Sequence, residues 1–296
     1  MLKKLILLVF LFGFVVFSVT PVTAQEMATD SAQQESTTIL PTDIATQSAQ
    51  TTVFSKDRET QRITELRSLY RNQVEVYRNA EKAYVIAKTN FEQVATLASL
   101  EEAVKATNLV MQERSRVMIT YLELLDAVLN ETNGVELNLK AQSSTELIGL
   151  ITALKIHQDE IFLSSSRESM VILSDSFEPI ANSYASTVYK TLSLIRIGQM
   201  QEVRDKSEII MQDIVASHEL SDSSNTATAK RKRAYVEIER NFDTVNVNLA
   251  KLNSKFLEAK REGFSRSFYE NILKDLGPVY VQISKSLEHL EELLTL

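Results

Sequence analysis

Three histidines, His157, His218 and His289, are the strongest metal and proton-transfer ligands available to this chain, which has no cysteine. A carboxylate-bridged metal pair inside a helical bundle uses Glu-x-x-His on two helices, because residues three apart share a helix face. The residues three before the histidines are Leu154, Val215 and Ser286, so that pattern is absent at all three. His157 and Glu160 have the reverse order. His289 lies among Glu288, Glu291 and Glu292, which reads as a charged face able to hold an ion only loosely. His218 lies near a helix end, where a cation suits the helix dipole. Zinc spacing cannot be assembled from three scattered histidines. No metal or cofactor is expected.

Nucleophilic chemistry is as poorly provided for. Ser164-Ser165-Ser166 has no histidine placed by sequence to activate it, and there is neither a Gly-x-Ser-x-Gly elbow nor a P-loop. The serine run reads as small polar residues on a helix surface. The carboxylate pairs Glu101-Glu102, Asp159-Glu160 and Glu291-Glu292 are adjacent, and neighbours on a helix point about 100° apart. They read as solvated faces. The expectation is a protein that is not an enzyme.

The sharpest charge feature is the run Lys230-Arg231-Lys232-Arg233. It is either a solvated segment at a helix start, where positive charge is mildly unfavourable, or a patch that docks an anionic envelope polymer, headgroup or partner. Asn130-Glu131-Thr132 matches the glycosylation sequon, relevant only in a host that glycosylates.

The chain around these residues begins with a compartment signal. Lys3 and Lys4 precede an apolar run from Leu5 to Val19, closed by Val22-Thr23-Ala24. That is the layout of a secretory signal peptide over 1–24, and the run is shorter than the roughly 20 residues of a spanning helix. An uncleaved anchor extending to Val22 is the alternative. Cleavage removes two lysines and no acid, taking the formal charge from −7 to −9. Such a chain suits no nucleic acid, which needs a clustered basic face. Membrane contact is expected only if the N-terminal segment stays uncleaved. The expected location is secreted or extracytoplasmic, at the cell envelope, with the fold held by its core and no disulfide.

Residues 25–55 are rich in Gln, Ser, Thr and Ala, and read as a disordered linker. Residues 56–296 then read as one helical bundle domain. Ile63, Tyr70, Tyr77, Tyr84 and Phe91 recur every seventh residue, each followed three later by Leu66, Gln73, Ala80, Ala87 and Val94. This is a heptad seam of large rings against mostly small residues, a core pattern rather than a ligand ladder. Leu69, Val76 and Ala83 flank it, as a wider bundle face or as an extra interface.

A break is predicted near Ser99 by a Ser99–Glu102 capping box, or else a local irregularity in one very long helix. The next stripe runs through Val104, Met111, Val117, Met118, Tyr121, Leu125 and Val128 to a turn at Asn133-Gly134. A helix is predicted from a Ser143–Glu146 box through Leu147, Ile151, Leu154, Ile161 and Phe162, then a turn at Ser174-Asp175-Ser176. Pro179 opens the following helix, which passes Gly198 to about Leu220 and carries Ile180, Tyr184, Val188, Leu192, Ile195, Val203, Ile210 and Ile214. After a loop at 221–228, Tyr235, Ile238, Phe242, Val245, Leu249, Leu252 and Phe256 alternate three and four apart. Leu273, Leu276, Tyr280, Ile283, Leu287, Leu290 and Leu294 do the same, with Gly277-Pro278 expected to kink or interrupt them.

The predicted fold is all-α: an elongated, antiparallel up-and-down bundle of about five or six long helices with heptad packing. The function this supports is non-enzymatic, through a protein partner, self-association or spacing. A ligand-sensing or enzymatic bundle with an interhelical pocket is the alternative.

Overall fold

The structure, a computed structural model, describes residues 44–219 and 226–295, with side chains from 58 to 217 and from 228 to 294. The expected signal peptide 1–24 and most of the expected linker lie outside the described residues. The chain divides into two compact units, Met1–Gln47 and Ser48–Leu296, and the second holds the helical bundle.

Among the described residues the fold is an all-α bundle without strands: α1 (Ile44–Val94), α2 (Leu97–Glu131), α3 (Leu137–Leu163), α4 (Arg167–Glu219), α5 (Thr226–Glu258) and α6 (Arg266–Thr295), with a 3₁₀ turn at Arg261–Gly263. Residues far apart in sequence fix the directions. Asp126 accepts from Ser144 Oγ at 2.6 Å near one end of α2, and Asn108 Nδ2 donates to Ile161 O at 2.6 Å near the other, so α2 and α3 are antiparallel. His157–Leu173 and Glu146–Lys190 do the same for α3 and α4. Lys255–Asp275 does so for α5 and α6, with Ala234 packed beside Leu290 and Leu293 at the other end. Tyr70 against Tyr121, ring centres 5.2 Å apart, seats α1 on α2.

The 53-residue helix α4 is the spine. α2, α3 and their turn pack along it from Met170 to Glu202, and α5 and α6 from Tyr189 to Ile214. From Thr187 to Gly198 nearly every α4 residue is buried. Hydroxyls there bond their own helix, as Thr191 does to Thr187 O at 2.9 Å and Ser193 to Tyr189 O at 2.8 Å. That removes the cost of burying them unpaired.

The α2–α3 turn meets α4 where neither has a side chain. A Cβ on Gly134 would lie 2.1 Å from Gly198 O, and one on Gly198 would lie 2.3 Å from Val135 Cγ2. No described glycine has positive φ, so this turn needs glycine for closeness rather than for handedness. The left-handed residue is Ala95 (φ 49°), which ends α1 with its N–H on Phe91 O at 2.9 Å. Ala there carries steric strain that glycine would not.

The aromatic seam of α1 faces the bundle: Ile63, Ala80 and Ala87 are buried, and Tyr70, Tyr77, Tyr84 and Phe91 are half-buried. The seam of α5 is buried from Ile238 to Phe256.

Other expectations are corrected. The box capping α2 is Thr96–Ser99, three residues earlier than expected, with Ser99 N on Thr96 Oγ1 at 3.3 Å and Thr96 N on Ser99 Oγ at 3.0 Å. Helix α3 starts at Leu137, and Ser143 is a 1% exposed core residue rather than a cap. The α3–α4 turn is Ser164-Ser165-Ser166, not Ser174-Asp175-Ser176: Ser166 and Ser169 bond reciprocally and start α4. Pro179 therefore lies inside α4. It and Asp175, whose carbonyl loses its helical donor, are both exposed, so water can take that carbonyl. Helix α6 likewise continues through Gly277-Pro278, so of the expected kink or interruption the interruption is absent. Phe162, Val203 and Ile210 are exposed rather than core.

The stripe of α6 is rotated. Leu276, Ile283 and Leu290 are buried as expected, but the core completes itself with Ile272, Val279, Ser286 and Leu293, while Leu273, Tyr280, Leu287 and Leu294 stay outside. The apolar arc is wider than one seam, and α4 with α5 cover only one edge of it.

Candidate functional site

The best-defined chemical cluster lies between α2, α3 and α4. Arg114 on α2 follows Met111 by three and precedes Met118 by four, so helix periodicity aims it inward with two buried methionines. Its guanidinium carbon lies 3.6 Å from the centre of the Phe177 ring of α4. Burial lowers its pKa to about 10, with Tyr77 of α1 opposing that shift, and its Nε has no acceptor. The Phe177 face supplies the compensation for this cation.

His157 of α3 stands 5.3 Å from the same ring and is 2% exposed. Its Nε2 lies 3.0 Å from Leu173 O, the geometry of the Nε2–H tautomer, and its Nδ1 is buried without a partner. Burial pulls its pKa down, Arg114 pulls the same way, and the Leu173 bond and Glu160 oppose them. The imidazole is thus held neutral.

A second cluster lies about two turns further along α2 and α4. Tyr121 of α2 meets Tyr70 of α1 and lies in the electrostatic range of Tyr189 of α4 and Tyr269 of α6. Tyr184 is 5% exposed and belongs to the same group. Burial raises the Tyr121 and Tyr184 pKa values, and the Tyr121 hydroxyl has no partner. Protonated phenols here pack and do not act as bases.

Near the α3–α4 turn a cavity of about 450 Å³ opens to solvent between Leu100, Val104, Lys105, Asn108, Ser165 and Arg167. The serine run therefore borders a cleft at a turn instead of covering a helix.

The basic run sits one turn inside α5. Lys230, Lys232 and Arg233 are exposed and Arg231 is half-buried, so the four cations do not form one face. Ala234, next to the run, packs with Leu290 and Leu293, which places Glu288, Glu291 and Glu292 at the same end of the bundle. His289 Nδ1 is 3.6 Å from Glu292. The side chain of His218 lies outside the described residues. No group of three metal-ligating side chains gathers among the described residues, and no described helix is long and apolar enough to cross a membrane. The paired carboxylates at 101–102, 159–160 and 291–292 are all exposed.

The sequence pointed to neither buried cluster. For Arg114 the legible signal was a cation at apolar spacing. For the tyrosines no signal existed, since they come from four helices whose register only the fold sets. The chain matches no protein-family model, no curated protein and no solved structure.

Proposed function

We propose that this chain is an exported, non-enzymatic helical-bundle protein of the cell envelope that works through protein–protein contact, with coiled-coil-like helix pairing as its mode. The observation that carries this reading is on α1. Leu69 and Val76, the residues flanking its aromatic seam, are 46% and 49% exposed, and Ala83 is exposed as well. Of the two roles open to them, a bundle face is therefore already filled by the seam, and an outward interface remains. A heptad-spaced apolar edge on a helix is the form a helical partner uses. Export is supported by the Lys-Lys, apolar run and Val-Thr-Ala site of residues 1–24.

The test crosslinks the chain in its native envelope, comparing the unaltered protein with Leu69→Glu/Val76→Glu. The expected result is a discrete crosslinked product that the double variant loses while keeping its helical circular dichroism. Equal products from both proteins would sink the reading. The mass of the chain recovered outside the cell tests export, since cleavage after Ala24 leaves Gln25 as its first residue.

The ligand-sensing reading has one observation in its favour, the cleft where Lys105 and Arg167 stand with Glu101 and Glu168 beside Asn108, over Leu100 and Val104. A thermal-shift screen of small anions and amphiphiles, blank throughout, would remove it. Docking of an anionic polymer through Lys230, Lys232 and Arg233 predicts binding that falls steeply with salt and disappears on charge reversal.

A further inference from the structure

The outer edge of α6 repeats more regularly than that of α1. Leu273, Tyr280, Leu287 and Leu294 fall seven residues apart and are 40%, 62%, 43% and 71% exposed. They form a stripe about 32 Å long at 1.5 Å per residue. Apolar residues repeating every seventh position stay in line only along a helix that winds around another. Small residues lie beside the stripe: Gly277, where an added Cβ would meet nothing within 4 Å, and Ser284. They leave room for a second backbone.

The charges beside the stripe select the partner and its direction. The exposed Lys274 and Asp275 precede the midpoint, Asp275 being paired with Lys255 of α5, and the exposed Lys285, Glu288, Glu291 and Glu292 follow it. An antiparallel copy centred between Ile283 and Ser284 brings Leu273 against Leu294 and Tyr280 against Leu287. The same register sets Lys274 of each copy on the same flank as Glu291 of the other. A parallel copy puts Lys274 and Glu291 of the two chains on opposite flanks of the seam, so that attraction is lost. We propose that α6 is a two-fold self-association surface on which a second copy of this chain packs its own α6 antiparallel. This rests on the reading of contact through outward helix edges and names the partner, on a face separate from that of α1. Its failure therefore leaves the Leu69/Val76 experiment intact.

The chain has no cysteine, so single introduced thiols report the geometry cleanly. In the full-length protein, Ser284→Cys lies beside the two-fold axis, within reach of its counterpart. The two copies of Lys274→Cys would lie about 28 Å apart, far beyond the roughly 7 Å between Cα atoms that a disulfide spans. Mild oxidation should link Ser284→Cys chains into a dimer and leave Lys274→Cys unlinked. Adding Tyr280→Glu, at an exposed position the fold does not need, should lower Ser284→Cys linkage about tenfold or more, the equivalent of about 1.4 kcal/mol. Three results would overturn the proposal: no linkage at Ser284→Cys, linkage at Lys274→Cys, or linkage that Tyr280→Glu leaves unchanged. The N-terminal apolar segment is present in every variant, so it cannot account for the difference.

Discussion

Gly134 and Gly198 touch backbone to backbone: the space a Cβ on Gly134 would need is taken by Gly198 O, 2.1 Å away. The α2–α3 turn is thereby keyed into the spine helix. Asn133, whose N–H and Nδ2 each lie 3.3 Å from a carboxylate oxygen of Glu202, holds it there. The bond from Lys206 is the largest cause of the low pKa of that carboxylate, and the two Asn133 bonds act in the same sense.

Gly198→Ala should therefore destabilise the fold. Its methyl would meet Val135 Cγ2 at 2.3 Å and Thr132 Cγ2 at 2.9 Å. Overpacking of this kind costs about 1–3 kcal/mol, against a helix-propensity gain of under about 1 kcal/mol. Gly149→Ala is the control of opposite sign, because nothing lies within 4 Å of its Cβ position in α3. Urea midpoints of the two variants should move in opposite directions, and a common direction would contradict the keyed turn.

His157 should make the fold sensitive to mild acid. Burial keeps its folded pKa below the ordinary 6.5. The unfolded chain then binds a proton near pH 6.5 that the folded chain refuses. Stability is full above that pH and is lost as pH falls from about 6.5 toward the lower folded value. Arg114 from α2 opposes the charge, and Glu160 on its own helix favours it. His157→Gln keeps a donor for Leu173 O without a titrating ring. Between pH 7.5 and 5.0 the unaltered protein should lose more stability than this variant in paired urea melts, with equal losses counting against the assignment. Glu160→Gln, at an exposed position, should steepen the loss.

Pro179→Ala should stabilise α4. The proline lies inside a continuous helix on its exposed side, where it deletes one helical bond and shields nothing. The interior penalty for proline reaches about 3 kcal/mol relative to alanine. A gain of about 1–3 kcal/mol in denaturant melts is expected, and no gain would mean that the proline sets a bend the bundle needs.

Helical character and the inward faces of α1 and α5 were legible because apolar spacing reports burial directly. Boundaries were less so. Ser143–Glu146 and Ser99–Glu102 have the composition of caps, yet the chain starts those helices elsewhere, since a cap forms only where a turn delivers it. Ser174-Asp175-Ser176 followed by Pro179 reads as a break by propensity. Met170, Leu173 and Phe177 override it, all buried on one face across those residues. The rotation of α6 could not be read from its pattern. Two apolar edges were present, and α4 and α5 determine which one is covered.

Helix α4 runs through both halves of the bundle without interruption. Any cut in the middle of α4 severs the helix that α2 and α3 share with α5 and α6. A nick or insertion there is expected to loosen the packing of all four neighbouring helices at once.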